Sequence, residues 1–219
     1  MNRREFSAQA ITAGVGLAGI IGWSAGAQAQ GAAPVEGTHY VKLNQPLPVP
    51  PGKIEVIEFF WYGCPHCNAF EPSLDAWQKK LPADVAFRRV PVAFRKQPFE
   101  AHQKIFYALD EMGLIPSMHR KVFYAIHVER QRLDQPDDIA AFVKRNGIDP
   151  VKFMAQYNSF SVQTKARQAA KLSADYKIDG VPAMGIQGKY FTSGALAGSN
   201  EGMLAVADHL IGKVRAGKG

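Results

Sequence analysis

Only two of the 219 residues are cysteine, and both fall in one tetrapeptide, Cys64-Pro65-His66-Cys67. There is no second C-x-x-C, so a metal site would have to be completed by His66 and distant histidines, which share no ligand spacing; metal binding is disfavoured. A purely structural disulfide is also weak, because closing so short a loop removes little chain entropy and tends to strain the ring. Beyond residue 30 no apolar run approaches the roughly 20 residues of a spanning helix. Lysine and arginine are scattered, with no nucleic-acid-binding motif among them, so no nucleic-acid partner is expected. Internal repeats are absent, and the only biased segment is the N-terminus. With 47% hydrophobic residues the chain has the composition of one globular domain, or of one domain carrying an insertion.

Residues 1–29 have the layout of a secretory signal peptide. Arg3 and Arg4 form a basic start, Ile11 to Trp23 is apolar and glycine-rich, and Ala27-Gln28-Ala29 has the form of a cleavage site. Arg3-Arg4-Glu5-Phe6 also resembles a twin-arginine signal, although Ser7 stands where that pattern prefers leucine; the general secretion route would accept the same peptide, and the route stays open. Cleavage after Ala29 removes Arg3, Arg4 and Glu5, lowering the formal charge from +7 to +6. The mature chain remains basic, which favours acidic or membrane-surface partners without specifying one.

Residues 30–37 read as a flexible leader and Thr38 to Leu43 as a short strand, followed by a loop through Pro46, Pro48, Pro50, Pro51 and Gly52. Ile54 to Trp61 is apolar on both faces apart from Glu55 and Glu58, the pattern of a central strand covered on both sides. From Cys64 the period changes, with Phe70, Leu74, Trp77 and Leu81 on one side of a helix that Pro72 should kink. Val85 to Phe94 reads as a further strand, with Pro91 disturbing its middle. From Phe99 to Tyr157 every periodic segment is helical, Asp149-Pro150 marks a helix start, and a long helix follows from Val162 to Tyr176. Asp179-Gly180-Val181-Pro182 turns into two short strands about Gly188, and Ser199 caps a last helix carrying Met203, Ala207, Leu210 and Val214. The expected class is α/β, with an all-helical insertion between strands.

A redox-active pair is the reading that Cys64 and Cys67 support best. With Cys64 at the first helical turn, the backbone N–H groups of His66 and Cys67 face its sulfur, and the helix dipole favours the thiolate. Pro65 has no N–H to lose and suits the first helical position. His66 adds a donor that is positive when protonated. All of these stabilise the reduced form, so the disulfide should be readily given away. Glu58, an acid inside an apolar strand, should hold its proton unusually tightly and exchange it with Cys67 through water, unless an edge position leaves it in solvent. Glu71, one turn beyond Cys67, reads as an exposed helical glutamate. His39, His102, His119, His127 and His209 read as surface or capping residues. Val181-Pro182 could be an ordinary turn or a cis bond.

The run from Glu58 through Cys64-Pro65-His66-Cys67 to Phe70-Glu71, with Gly180-Val181-Pro182-Ala183-Met184 and Gly188-Lys189-Tyr190, resembles the DsbA family of bacterial periplasmic thiol:disulfide oxidoreductases. The resemblance covers almost the whole mature chain, and Cys-Pro-His-Cys together with Val-Pro is specific to that family. It implies a thioredoxin fold in two parts, residues 30–96 and 169–219, around a helical insertion at 97–168. It further implies that Cys64 is the exposed nucleophile forming a mixed disulfide with substrate, that Cys67 is the buried partner, and that Pro182 is a cis-proline with Val181 offering backbone groups to an extended peptide. The family often places a lysine near the acid; alignment puts Arg89 there.

The expected activity is donation of the Cys64–Cys67 disulfide to unfolded exported proteins with free cysteines, followed by reoxidation by a quinone-linked membrane partner of the DsbB type. A periplasmic monomer without a cofactor is expected. Recognition should be loose, through an apolar groove and backbone pairing at Val181. The rival readings are a disulfide isomerase or reductase, and a holdase-like binding module whose redox activity is incidental.

Overall fold

The structure, a computed structural model, describes residues 33–217. The signal peptide assigned to residues 1–29 lies outside them. Along the chain the elements are β1 (Val41–Lys42), β2 (Ile54–Phe60), α1 (Pro65–Gln78), β3 (Val85–Pro91), α2 (Phe99–Glu111), α3 (Ile115–His127), α4 (Pro136–Arg145), α5 (Pro150–Tyr157), α6 (Phe160–Asp175), β4 (Ala183–Ile186), β5 (Tyr190–Ser193), α7 (Gly194–Ala197) and α8 (Asn200–Arg215). The strands form one mixed sheet in the order β1-β5-β4-β2-β3. β3 runs parallel to β2, and the other pairings are antiparallel. The α/β class read from the sequence is the class observed.

β2 is buried along its whole length, as its two-faced apolar pattern requires. Alternation sends Ile54 and Val56 to the face packed with Phe70 and Leu74 of α1 and Met203 and Leu210 of α8. Ile57 and Phe59 go to the opposite face, in one core cluster with Ile105, Leu109 and Phe153 of the helical segment, while Phe60, of the same parity as Glu58, meets Phe106, His119 and Phe123. Glu58 shares the parity of Val56, and so is directed toward the α1 side, in register with Arg89 on β3 and Met184 on β4. This alternation puts a charged residue into the layer beneath α1.

Helix starts follow the sequence signals where a capping side chain is present. Asp149 accepts from the N–H groups of Val151 and Lys152, and Ser199 from Gly202. Pro72 lies inside α1 without ending it. α6 packs on both α2 and β3.

Some boundaries differ from the sequence reading. β3 ends at Pro91 rather than Phe94, because its partner β2 ends at Phe60, whose carbonyl accepts the last ladder bond from Val92 N–H at 2.8 Å; Phe94 is exposed and packs edge-on against Phe99. The expected leader is fixed from Val35 on, where the Val35 carbonyl accepts from His39 N at 2.8 Å and Glu36 bridges Tyr40. The one-turn helix α7 is too short for a periodic signal. Ser193 caps it, its hydroxyl accepting from Leu196 N.

The β4–β5 turn closes through Lys189 N and the Ile186 carbonyl, with Gln187 and Gly188 both at positive φ. A Cβ on Gly188 would run into the Leu47 carbonyl oxygen. Gly188→Ala should therefore combine left-handed backbone strain with a backbone clash and destabilise the fold by about 2–3 kcal/mol. Urea unfolding of the variant beside the wild type measures it, and an unchanged midpoint would contradict the packing described.

Candidate active site

β2 delivers the chain to the site. After Phe60, Trp61 stacks on Phe99 with ring centroids 4.0 Å apart, and Tyr62 is completely buried. Gly63 follows where a Cβ would collide with the Trp61 indole. Cys64 is the N-cap of α1, in extended conformation at φ −85° and ψ 117°, and Pro65 takes the first helical position. The sulfur of Cys64 accepts the backbone N–H of Cys67 at 3.4 Å, performing the capping function that serine or aspartate usually supplies. When protonated, Cys64 Sγ donates to the Val181 carbonyl at 3.4 Å. Val181-Pro182 is a cis bond that brings the β4 approach against the N-terminus of α1.

Both cysteines are free thiols here, and their surroundings push them apart. Cys64 is lowered to about 6, chiefly by hydrogen bonding with Cys67, helped by the backbone N–H groups of Cys67 and His66 and the His66 charge, against partial burial. Cys67 is pushed well up by burial first, then by its hydrogen bond with Cys64 and the charges of Cys64 and Glu58. The exposure expected of Cys64 is smaller than the resemblance implied. Only 7% of it is accessible, against none of Cys67, because the Val181 loop covers its sulfur. Beside His66 opens a cavity of about 500 Å³ whose wall combines Val181 and Pro182 with Asp179, Ser193 and Asn200.

Glu58 is fully buried, which excludes the edge position. Burial first, then the negative charge of Glu71, pushes its carboxyl well above the ordinary range, with Arg89 opposing. Nε of Arg89 stands 3.1 Å from Glu58 Oε2, close enough for an ion pair. Neither Glu58 oxygen receives a hydrogen bond, so the guanidinium attracts the group without satisfying it. Arg89 Nη2 donates to Glu71 Oε2 at 3.1 Å and to Asp75 Oδ1 at 2.9 Å. One guanidinium thus serves three carboxylates. Glu55, the other acid of β2, accepts from Arg88 Nε at 3.0 Å.

Two expectations are overturned here. Glu71 is fully buried rather than exposed, because it lies one turn from Cys67 on the side of α1 that faces Arg89. His102 and His119 are buried in the core, not surface residues, because the helical segment packs them against the end of β2. Tyr62 O–H donates to His119 Nδ1 at 2.9 Å, and His119 Nε2–H donates to Glu71 Oε1 at 3.1 Å. His127 Nε2–H donates to the Tyr62 carbonyl at 2.8 Å, and His102 Nε2–H to the Arg132 carbonyl at 2.7 Å. A usable signal existed for two of these. Glu71 is four residues from Cys67 between apolar Phe70 and Leu74, and His119 lies between Met118 and Val122 in the apolar stripe of α3.

Three comparisons bear on this arrangement. The family model for a DSBA-like thioredoxin domain matches residues 89–201. The chain is similar to the thiol:disulfide interchange protein DsbA of Burkholderia cepacia, 48% identical over 198 residues that cover 89% of this chain and 93% of that one. The crystal structure of Pseudomonas aeruginosa DsbA superposes with a TM-score of 0.80 at 45% identity, covering 84% of this chain and 95% of that one. The oxidoreductase DsbA of Xylella fastidiosa does so at 0.77 and 31% identity, covering 84% and 98%.

The geometry around Cys64 gives a direct expectation for the reduced protein. Thiolate absorbance near 240 nm should titrate with a midpoint of about 6 for one sulfur, and His66→Ala should raise that midpoint. A wild-type midpoint in the ordinary thiol range, about 8.5, would show that the cap does not act on the sulfur as described.

Proposed function

The chain belongs to the DsbA family of thioredoxin-fold thiol:disulfide oxidoreductases, and we propose that it acts in the periplasm on unfolded exported proteins, with Cys64 as nucleophile and Cys67 as its buried partner. It is an enzyme of thiol:disulfide interchange that introduces disulfide bonds into proteins. The observation carrying the residue assignment is the backbone N–H of Cys67 aimed at the sulfur of Cys64, an interaction that strengthens when that sulfur is an anion.

The reaction begins with the Cys64–Cys67 disulfide. A substrate thiolate attacks Cys64, forming the mixed disulfide, and the S–S bond to Cys67 breaks with both electrons leaving on the Cys67 sulfur. Cys67 is buried and a poor place for charge, so it takes a proton, for which Glu58 is the nearby donor. A second substrate thiolate attacks the substrate sulfur of the mixed disulfide and expels Cys64 as a thiolate, which its helix N-terminus stabilises. The substrate leaves oxidised by two electrons, and the enzyme holds them as the dithiol.

Val181 and Pro182 form the ledge against which an extended substrate peptide pairs, which the position of the Val181 carbonyl at Cys64 supports. Pro65 and His66 complete the nucleophile's surroundings. A quinone-linked membrane partner of the DsbB type removes the two electrons, and a cleaved N-terminal signal delivers the chain to the compartment. Among the described residues no helix is long and apolar enough to cross a membrane. The division into residues 30–96 and 169–219 about a helical insertion at 97–168 belongs to the same proposal; it is supported by helices α2 to α5 lying between β3 and α6, with α6 spanning the second junction.

Oxidative refolding of a reduced, multi-disulfide secreted protein tests the activity. Wild type should accelerate it in the presence of a thiol oxidant, and Cys64→Ser should not. Equal activity of the variant would favour a binding module with incidental redox chemistry, and acceleration confined to scrambled substrates would favour an isomerase.

A second test is thermodynamic. A depressed Cys64 value stabilises the reduced fold fully above the unfolded thiol value of about 8.5, and the gain fades as pH falls through about 6. The raised Cys67 value acts oppositely, removing stability once pH exceeds the unfolded value. Between pH 5 and 8, urea unfolding should therefore show the advantage of reduced over oxidised protein growing with pH. A flat or falling difference would contradict the oxidant assignment.

A further inference from the structure

The hydrogen bonds of the two buried carboxylates differ in a way that the redox reading does not use. Glu71 is bonded on both oxygens, to Arg89 Nη2 and to His119 Nε2, each at 3.1 Å. Glu58 has Arg89 Nε beside one oxygen and no hydrogen bond on either. Two carboxylates thus face one guanidinium inside the protein, with Asp75 drawing on the same cation from a side chain that is 39% accessible. Leaving both buried acids ionised would put two anions against one cation away from water, so the arrangement favours one proton on the pair.

We propose that His119 is a positioning residue that decides which of the two acids carries that proton: by donating to Glu71 it keeps Glu71 an anion and leaves the proton on Glu58, next to Cys67. The hydrogen-bond directions agree. Tyr62 is completely buried and keeps its O–H, which can only be aimed at His119 Nδ1. The ring is 5% exposed, and burial, the largest influence on it, holds it below its ordinary value despite Glu71. A neutral imidazole accepting at Nδ1 must carry its hydrogen on Nε2, the nitrogen facing Glu71. Burial pushes Glu71 up, but His119, through its hydrogen bond and then its electrostatic attraction, followed by the charges of Arg89 and Arg120, outweighs it, and Glu71 stays low. The titratable and charged groups facing the pair are Cys67 and Asp75 from α1, Tyr62 from the segment between β2 and α1, Arg89 from β3, and His119 and Arg120 from α3, with Met184 opposite Glu58 on β4.

A histidine from the helical segment would in this way set the protonation of an acid on the central strand without touching it. The location of the proton is independent of the redox assignment; only its consequence, a proton ready for Cys67 when the disulfide opens, rests on the proposed function.

The test is a carbon-13 NMR titration of the glutamate carboxyls in the full reduced protein, assigned with Glu58→Gln and Glu71→Gln. In the wild type Glu58 should titrate far above Glu71. In His119→Leu the Glu58 midpoint should fall by about one pH unit or more and that of Glu71 should rise, a shift of the size that a neighbouring carboxylate exerts. His119→Gln, whose amide can still donate to Glu71, should recover part of the wild-type order. In the Glu71→Gln background His119→Leu should leave Glu58 unmoved, because the rival acid is gone. A wild type with Glu71 as the protonated acid overturns the proposal even if no variant folds. So does a folded His119→Leu with Glu58 unshifted, or an equal shift in the Glu71→Gln background. If the midpoints behave as stated while Cys64→Ser proves as active as wild type, the redox reading fails and the assignment of the proton stands.

Discussion

The sulfur of Cys64 occupies the capping position of α1, and the rest of the site depends on that placement. A serine or aspartate there would satisfy the helix N-terminus equally well, but only a thiol makes the cap reactive. The constraint reaches backward through the chain. For the sulfur to receive the Cys67 N–H, residues 61–63 must leave β2 in one direction, and Trp61 stacked on Phe99, Gly63 under the indole, and the Tyr62 carbonyl tied to His127 hold them there. It also reaches across the sheet, because the Val181 carbonyl closes the other side of the sulfur. The cap is made by local chain, and its position is set by elements far away in sequence.

Two thiols three residues apart are held in opposite chemical conditions. Cys64 sits where unpaired N–H groups converge, and Cys67, on the first turn, has turned into the protein over Glu58. The buried acids beneath it are hard to justify by stability, since well-packed apolar side chains in their place would often be as stable or more so. Their value lies in chemistry. An acid kept from ionising by its surroundings is a proton donor at neutral pH, and it has to be dry to remain one.

The sequence carried the local half of this account. Cys64-Pro65-His66-Cys67 after an apolar strand located the helix start and the reactive sulfur, and Glu58 in a strand without other reason for charge predicted a buried acid. Those inferences used neighbours within one turn or one strand period. Arg89, thirty-one residues from Glu58, becomes its partner only through the parallel register of β2 and β3, and parallel pairing leaves no short turn from which a register can be read. His119 and His127 reach Tyr62 because α3 folds back over the end of β2, a packing that periodicity does not encode. Glu71 was misjudged for a related reason: a helix with polar residues scattered along it does not say which of them face a cation on a neighbouring strand.

The helical segment therefore does more than cover the sheet. Its Phe106 and Phe123 cover Phe60 and Tyr62, which share the parity of Glu58, and its histidines enter the polar cluster beside them. These two contributions are physically inseparable. Drying the cluster raises the cost of every unpaired polar atom in it, so the element that removes water must also supply donors to replace it. α3 does both within one turn, with Met118 and Val122 packed in the core and His119 between them bonded to Glu71 and Tyr62. A change on α3 should accordingly be felt at the acids below Cys67 before it is felt at Cys64, whose charge is held first by the Cys67 thiol and then by backbone N–H groups of its own helix.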